Sequence, residues 1–134
     1  MKIAYILRGV PGAGKSTLAK NLKGKNGVIC EADDYFYDED GNYKFDMTKL
    51  AENHLRCFTK WENAIKIGVS TIIQSNTNAT KFEFENYKKV AEEGGYTVFV
   101  LIVENYHNNK SIHNIDENKR QFFAKKLERN IKLK

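Results

Sequence analysis

Four short apolar runs alternate along the chain with longer stretches whose apolar residues recur at helical spacing. The first run, residues 3–7, is almost unbroken and is bounded by Lys2 and Arg8. Runs at 28–30, 70–73 and 97–103 follow. Short apolar runs ended by polar or turn residues read as buried strands. Between them, Leu18, Ala19 and Leu22 form the inward side of a helix over about 15–22. A longer helix is expected from Asp46, its N-cap, to Gly68, its stop. Along it Leu50, His54, Cys57, Phe58, Trp61, Ala64 and Ile65 recur every three or four residues, so His54, Phe58 and Trp61 read as core. A third helix starts near Thr80 and ends at the Gly94–Gly95 pair, with Phe84, Tyr87, Val90 and Ala91 inward. The last, 116–131, has Phe122, Phe123 and Leu127 on its apolar side.

Strands that alternate with helices predict a parallel sheet covered on both faces. With right-handed crossovers the expectation is a three-layer α/β sandwich of about four strands, one domain spanning 1–134. Ligands of such sheets collect at the carboxyl ends of the strands. The polar clusters all fall there: residues 9–17 after the first strand, Asp33–Asp34 after the second, Ser75–Asn78 after the third and 104–113 after the fourth.

The first cluster, GVPGAGKST, places Gly9, Gly14, Lys15 and Ser16 in the spacing G-x-x-x-x-G-K-[ST], between a strand and a helix. Gly9, Pro11, Gly12, Ala13, Gly14, Lys15, Ser16 and Thr17 therefore form a candidate phosphate cradle. Its backbone N–H groups and the helix N-terminus face an anion. Lys15 reaches β- and γ-phosphates, and the Ser16 hydroxyl sits on magnesium; the chemistry expected is that of ATP with Mg2+. Phosphoryl transfer needs positioning, charge compensation and a carboxylate near the incoming hydroxyl. Asp33 is the candidate base. In an extended segment its neighbour Asp34 points the other way, toward a second layer or a metal-bound water. The third strand ends Gln74–Ser75–Asn76, with no acid to hold magnesium or its water, a task left to neutral Ser75 or Asn76. Positive charge over the phosphoryl group is expected from Lys110, His107 and His113, or from Lys119 and Arg120 at the start of the last helix.

Apolar content of 41% and charged content of 29% indicate a globular chain, and no run approaches a membrane span. A signal peptide is not expected, because cleavage would remove the phosphate cradle. Cys30 and Cys57 have no metal-ligand spacing and read as buried thiols of a reducing, cytoplasmic setting. Of the net charge of +5, residues 116–134 carry +4, so the last helix is either a polyanion-binding face or a solubilising surface.

Taken in order, GVPGAGKSTLA, EADDYF, GNYKFD, Asn53–His54, SNTNAT and SIHNI resemble the small P-loop kinase-like domains related to 5′-hydroxyl polynucleotide kinases. The resemblance spans roughly residues 3–130 and includes stand-alone AAA-family ATPase-like forms, also found fused in some ubiquitin-ligase-binding proteins. It implies ATP and magnesium, a nucleoside or a DNA or RNA 5′ end as acceptor, Asp33 as general base, and Lys15 and Ser16 on the phosphates and metal. Two positions depart from it. Ser75 stands where the family usually has an acid, and Tyr35, Phe36 and Tyr37 stand where an arginine usually follows the acid pair. Those aromatics stack a base or pack a lid. No fifth strand is read after the fourth. Lys15–Ser16 and Asp33–Asp34 favour a phosphotransferase. The two departures favour a nucleotide-binding regulatory module with slow hydrolysis.

Overall fold

The computed structural model describes residues 1–104 and 117–131. In chain order its elements are β1 (Ile3–Arg8), α1 (Lys15–Lys23), β2 (Val28–Cys30), α2 (Leu50–Ile67), β3 (Thr71–Gln74), α3 (Glu85–Glu93), β4 (Thr97–Ile102) and α4 (Glu117–Asn130). Short 3-10 turns lie at Ala32–Phe36, Met47–Lys49 and Lys81–Glu83. The four strands form one sheet in the order β2-β3-β1-β4, and every pairing is parallel. The pattern of β-α-β units read from the apolar runs is the one observed.

Strand alternation divides the core into two layers. On one face Ala4, Ile6, Cys30 and Ile72 pack with Cys57, Trp61 and Ala64 of α2 and with Phe84, Tyr87 and Ala91 at α3. On the other, Leu7 and Ile73 pack with Ala19 of α1, joined by Leu18, Leu22, Ile29 and Leu101. Trp61 is fully buried and donates its indole N–H to the Tyr87 carbonyl at 3.1 Å, so α2 and α3 are held in fixed register. Both cysteines are free and buried. No helix among the described residues is long and apolar enough to cross a membrane.

Four local readings are corrected. Asp46 does not start the long helix. Its carboxylate accepts from the Thr48 N–H at 2.9 Å and caps a 3-10 turn, after which α2 begins. His54 is exposed, and Asn53, one residue and about 100° earlier on the helix, takes the buried position. Asp33–Asp34 lie on a 3-10 turn, not in an extended segment, so adjacent side chains diverge by about 120°. β4 is less covered than its apolar run suggests, because it is one of the two edge strands; Phe99 remains 46% exposed while stacking on Tyr5 at 5.9 Å.

The turn from β1 toward α1 leaves no room for a side chain. A Cβ on Gly9 would lie 2.7 Å from the Val103 carbonyl oxygen, a backbone atom just past β4. Gly9→Ala is therefore expected to destabilise the chain by about 1–3 kcal/mol, through backbone displacement at the sheet's carboxyl edge. Urea unfolding of the two proteins checks this.

Candidate functional site

The candidate phosphate cradle is built from the register of the sheet. β1 lies between β3 and β4, so its end opens at the middle of the carboxyl edge. The Gly9 N–H donates to the Thr77 carbonyl at 3.1 Å, tying the start of the loop to the segment after β3. Gly14, the residue before α1, has φ +105°, a left-handed conformation that favours glycine. No side chain caps α1, and its first turn holds no acid. A helix start of this kind presents backbone N–H groups and a partial positive charge to an anion.

Lys15 is buried and folds back across the loop, donating to the Gly9 carbonyl at 2.6 Å and the Val10 carbonyl at 3.1 Å. Burial lowers its pKa to about 8, partly countered by the negative charges of Glu31 and Asp33. An ammonium held at such a cost by two neutral carbonyls gains strongly from an anion placed within its reach.

The acid pair is positioned by β3. The Asn76 side-chain oxygen accepts from the Ala32 N–H at 2.8 Å, fixing the start of the 3-10 turn that carries Asp33 and Asp34. Asn76 is thus a support for that turn. Asp33 acts on Lys15 and hydrogen-bonds the Tyr43 hydroxyl, whose pKa is raised by burial first and by Asp33 second. Asp34 instead lines a cavity of about 510 Å³ together with Ser16 and Glu31. The turn has no arginine of its own, but Arg56 from α2 lies over the Tyr35 ring at 4.3 Å.

Glu31, the residue after β2, joins this candidate site without having been singled out in the sequence. Its carboxylate accepts from the Ser75 hydroxyl at 3.2 Å, and it is the first carboxylate acting on Lys15. The missing acid after β3 was the signal that pointed here, since β2 and β3 are adjacent and their ends coincide.

Behind the loop, Arg8 is buried and donates to the carbonyls of Asn78 (2.8 Å) and Ala79 (3.1 Å) and to the Asn130 side chain (3.0 Å). Asn78, at φ +51°, donates in turn to the Leu7 carbonyl at 2.7 Å and to Gln74 at 2.6 Å. One guanidinium thus joins the segment after β3 to the end of α4. Arg8→Met, which leaves the Asn78 and Ala79 carbonyls unpaired while Asn130 keeps the Lys81 N–H at 2.8 Å, is expected to cost about 2 kcal/mol or more in denaturant unfolding.

α4 crosses the cradle. Arg120 donates from Nε to the Pro11 carbonyl at 3.2 Å and pairs with Glu117 at 3.5 Å, which sets a guanidinium against the loop. Lys119 lies over the Phe45 ring at 4.6 Å, linking α4 to the cluster of Phe36, Tyr37, Tyr43 and Phe45. Lys110, His107 and His113 lie outside the described residues. The 510 Å³ cavity continues from Ser16, Asp34 and Tyr37 past Lys20, Lys60 and Lys23 along the outer edge of β2. Among the described residues no group of three or more His, Cys, Asp or Glu is gathered as a metal site.

Comparison with known proteins agrees with this architecture. Residues 5–108 match a family model described as an AAA domain. Over 98 residues the chain is 39% identical to human NEDD4-binding protein 2, covering 72% of this chain but only 6% of that protein. Two solved structures share the fold. Kti12 from Chaetomium thermophilum in complex with ADP-AlF3 has a TM-score of 0.57 at 14% identity, covering 92% of this chain and 79% of that one. A cysteine-to-alanine mutant of the Mycobacterium tuberculosis APS kinase CysC has a TM-score of 0.52 at 17% identity, covering 95% and 97%. With its sheet order, its loop between β1 and α1 and a family match over most of its length, the chain belongs to the AAA domain family and has a P-loop kinase-like fold.

Proposed function

We propose that the protein is an ATP- and Mg2+-dependent phosphotransferase that moves the γ-phosphoryl group to a hydroxyl of a nucleoside or of a polynucleotide 5′ end. The observation that carries this reading is the placement of the acid pair: the Asn76 hydrogen bond fixes the turn of Asp33 and Asp34 so that Asp34 lines the cavity of Ser16, at the uncapped start of α1. One carboxylate at such a site serves to hold Mg2+, and a further one is placed for hydroxyl activation. The nucleotide complexes solved for proteins of the same fold, APS kinase with AMPPNP and APS among them, support a nucleotide in the cradle.

In this reading the amides of Gly12 and of Gly14 to Ser16 face the phosphates, the Ala13 N–H being held by the Val10 carbonyl, and Lys15 exchanges its two carbonyls for β- and γ-phosphate oxygens. Ser16 and the carboxylates on its cavity suit Mg2+, a hard ion that takes oxygen ligands. When bound, that ion neutralises charge on the phosphates. Asp33 takes the acceptor's hydroxyl proton as the new P–O bond forms and the γ-phosphorus–bridge oxygen bond breaks, leaving ADP. Arg120 moves from Pro11 to the transferring group. Tyr37 and the lysines along β2 favour an acceptor with a ring to stack and phosphates to hold.

A second reading, a nucleotide-binding module with slow hydrolysis, is favoured by Ser75 in place of an acid. It brings partner binding of the kind named for NEDD4-binding protein 2 into view. Incubation with γ-labelled ATP and Mg2+ against nucleosides, nucleoside 3′-phosphates and 5′-hydroxyl DNA and RNA separates the two. Labelled acceptor is expected. Phosphate released into water at the same slow rate with every acceptor would leave the module.

A further inference from the structure

The segment after β3 lacks an acid, yet a carboxylate lies beside it. P-loop NTPases hold magnesium with the loop Ser or Thr and with an aspartate from a neighbouring strand. Here that neighbour, β3, runs into Ser75, which is fully buried. The Ser75 N–H donates to the Cys30 carbonyl at 3.1 Å, which sets Ser75 alongside the residue that follows Cys30. That residue is Glu31. Its Oε2 accepts from the Ser75 hydroxyl at 3.2 Å, and it lines the same cavity as Ser16. Its charge also bears on Lys15, ahead of Asp33. The carboxylate therefore reaches, from β2, the space in front of the loop that an acid on β3 would occupy.

We propose that Glu31 is the carboxylate that holds the nucleotide-bound Mg2+ through one of its waters, and that Ser75 orients it. The acid has moved one strand over. This rests on the nucleotide reading above, and it gives the polar Ser75 a positive task. A serine donating to one carboxylate oxygen fixes the rotamer of Glu31, as second-sphere hydrogen bonds fix metal-holding side chains elsewhere. Asp34, on the same cavity, is left to contribute through water or to face the acceptor.

The test follows metal binding in place of turnover. Mn2+ is titrated into the intact chain with ATP held below the protein concentration, against ATP alone as reference, and followed by the loss of its free electron-paramagnetic signal, while ATP affinity without divalent ion is measured by calorimetry. Glu31→Gln keeps an acceptor for Ser75 and is expected to weaken Mn2+ uptake about tenfold or more, with metal-free ATP affinity not reduced. Glu31→Gln with Ser75→Asp, which returns the acid to β3, is expected to recover uptake to within about threefold of the parent by the same logic of ligand orientation. Ser75→Ala, the mildest change, is expected to weaken uptake by a smaller factor. Equal Mn2+ uptake by the parent and Glu31→Gln would overturn the inference alone, as would a double variant no better than the single one. Absence of ATP binding by the parent chain would overturn the proposed function and this inference with it.

Discussion

Lys15→Met is expected to abolish phosphoryl transfer while leaving the free chain about as stable as the parent below pH 8. Burial brings the Lys15 pKa down from 10.5 to about 8, a shift that corresponds to roughly 3 kcal/mol of penalty on the charged form. The variant removes that penalty but leaves the Gly9 and Val10 carbonyls without their donor, at about 1–3 kcal/mol each, so the two effects nearly cancel. The pH dependence has a definite sign. Below pH 8 both folded and unfolded chains hold the proton and the penalty is complete. Between pH 8 and 10.5 the unfolded chain binds more protons, so the parent's stability rises with pH while that of Lys15→Met does not. Thermal unfolding of both proteins from pH 7 to 10 measures this. Transfer by the variant is expected to fall on the order of 10³-fold or more, since the only buried ammonium of the cradle no longer meets the developing charge. Phosphate contact also raises the lysine pKa, so ATP binding near pH 8 takes up about half a proton, measurable by calorimetry in buffers of different ionisation enthalpy.

Asp33→Asn is the second large effect. The amide keeps an acceptor for the Tyr43 hydroxyl and removes one of the two carboxylates acting on Lys15, so the turn at Ala32–Phe36 is expected to stay folded. Without a proton acceptor at the hydroxyl, kcat is expected to fall about 10²–10⁴-fold. ATP affinity is expected to hold or improve, because a negative charge near the phosphates has gone. A loss of ATP binding that matched the loss of rate would instead make Asp33 part of the cradle. Tyr43→Phe, which only removes the hydroxyl that bonds Asp33, is expected to give a smaller drop in kcat with little change in KM.

The sheet and its helices were legible because their signals are local. Five consecutive apolar residues at 3–7, the spacing of Cys57, Trp61 and Ala64, and Gly68 at the end of α2 each act within a few residues. The loop between β1 and α1 was legible for the same reason, since its glycines and lysine follow a local spacing between a strand and a helix. Glu31 was not legible, because its role depends on β2 and β3 being neighbours, a relation between residues 44 positions apart. Arg8 was read only as the polar limit of a strand. Its partners at Asn78, Ala79 and Asn130 come from two distant segments. His54 misled because apolar spacing alone does not fix which of two adjacent polar residues turns inward, and the buried choice was Asn53. The acid pair misled differently: Asn76 reaches back to the Ala32 N–H and winds Ala32–Phe36 into a 3-10 turn, a tertiary hydrogen bond that no local pattern announces.

The cradle itself is tested most directly by a crystal structure with Mg2+ and a non-hydrolysable ATP analogue, through one distance, Lys15 Nζ to the Gly9 carbonyl oxygen. That distance is 2.6 Å in the free chain. The account predicts that it opens beyond hydrogen-bond range, with the ammonium on β- and γ-phosphate oxygens and Asp33 facing the γ-phosphate. An analogue bound elsewhere, with Lys15 still on Gly9, would contradict it.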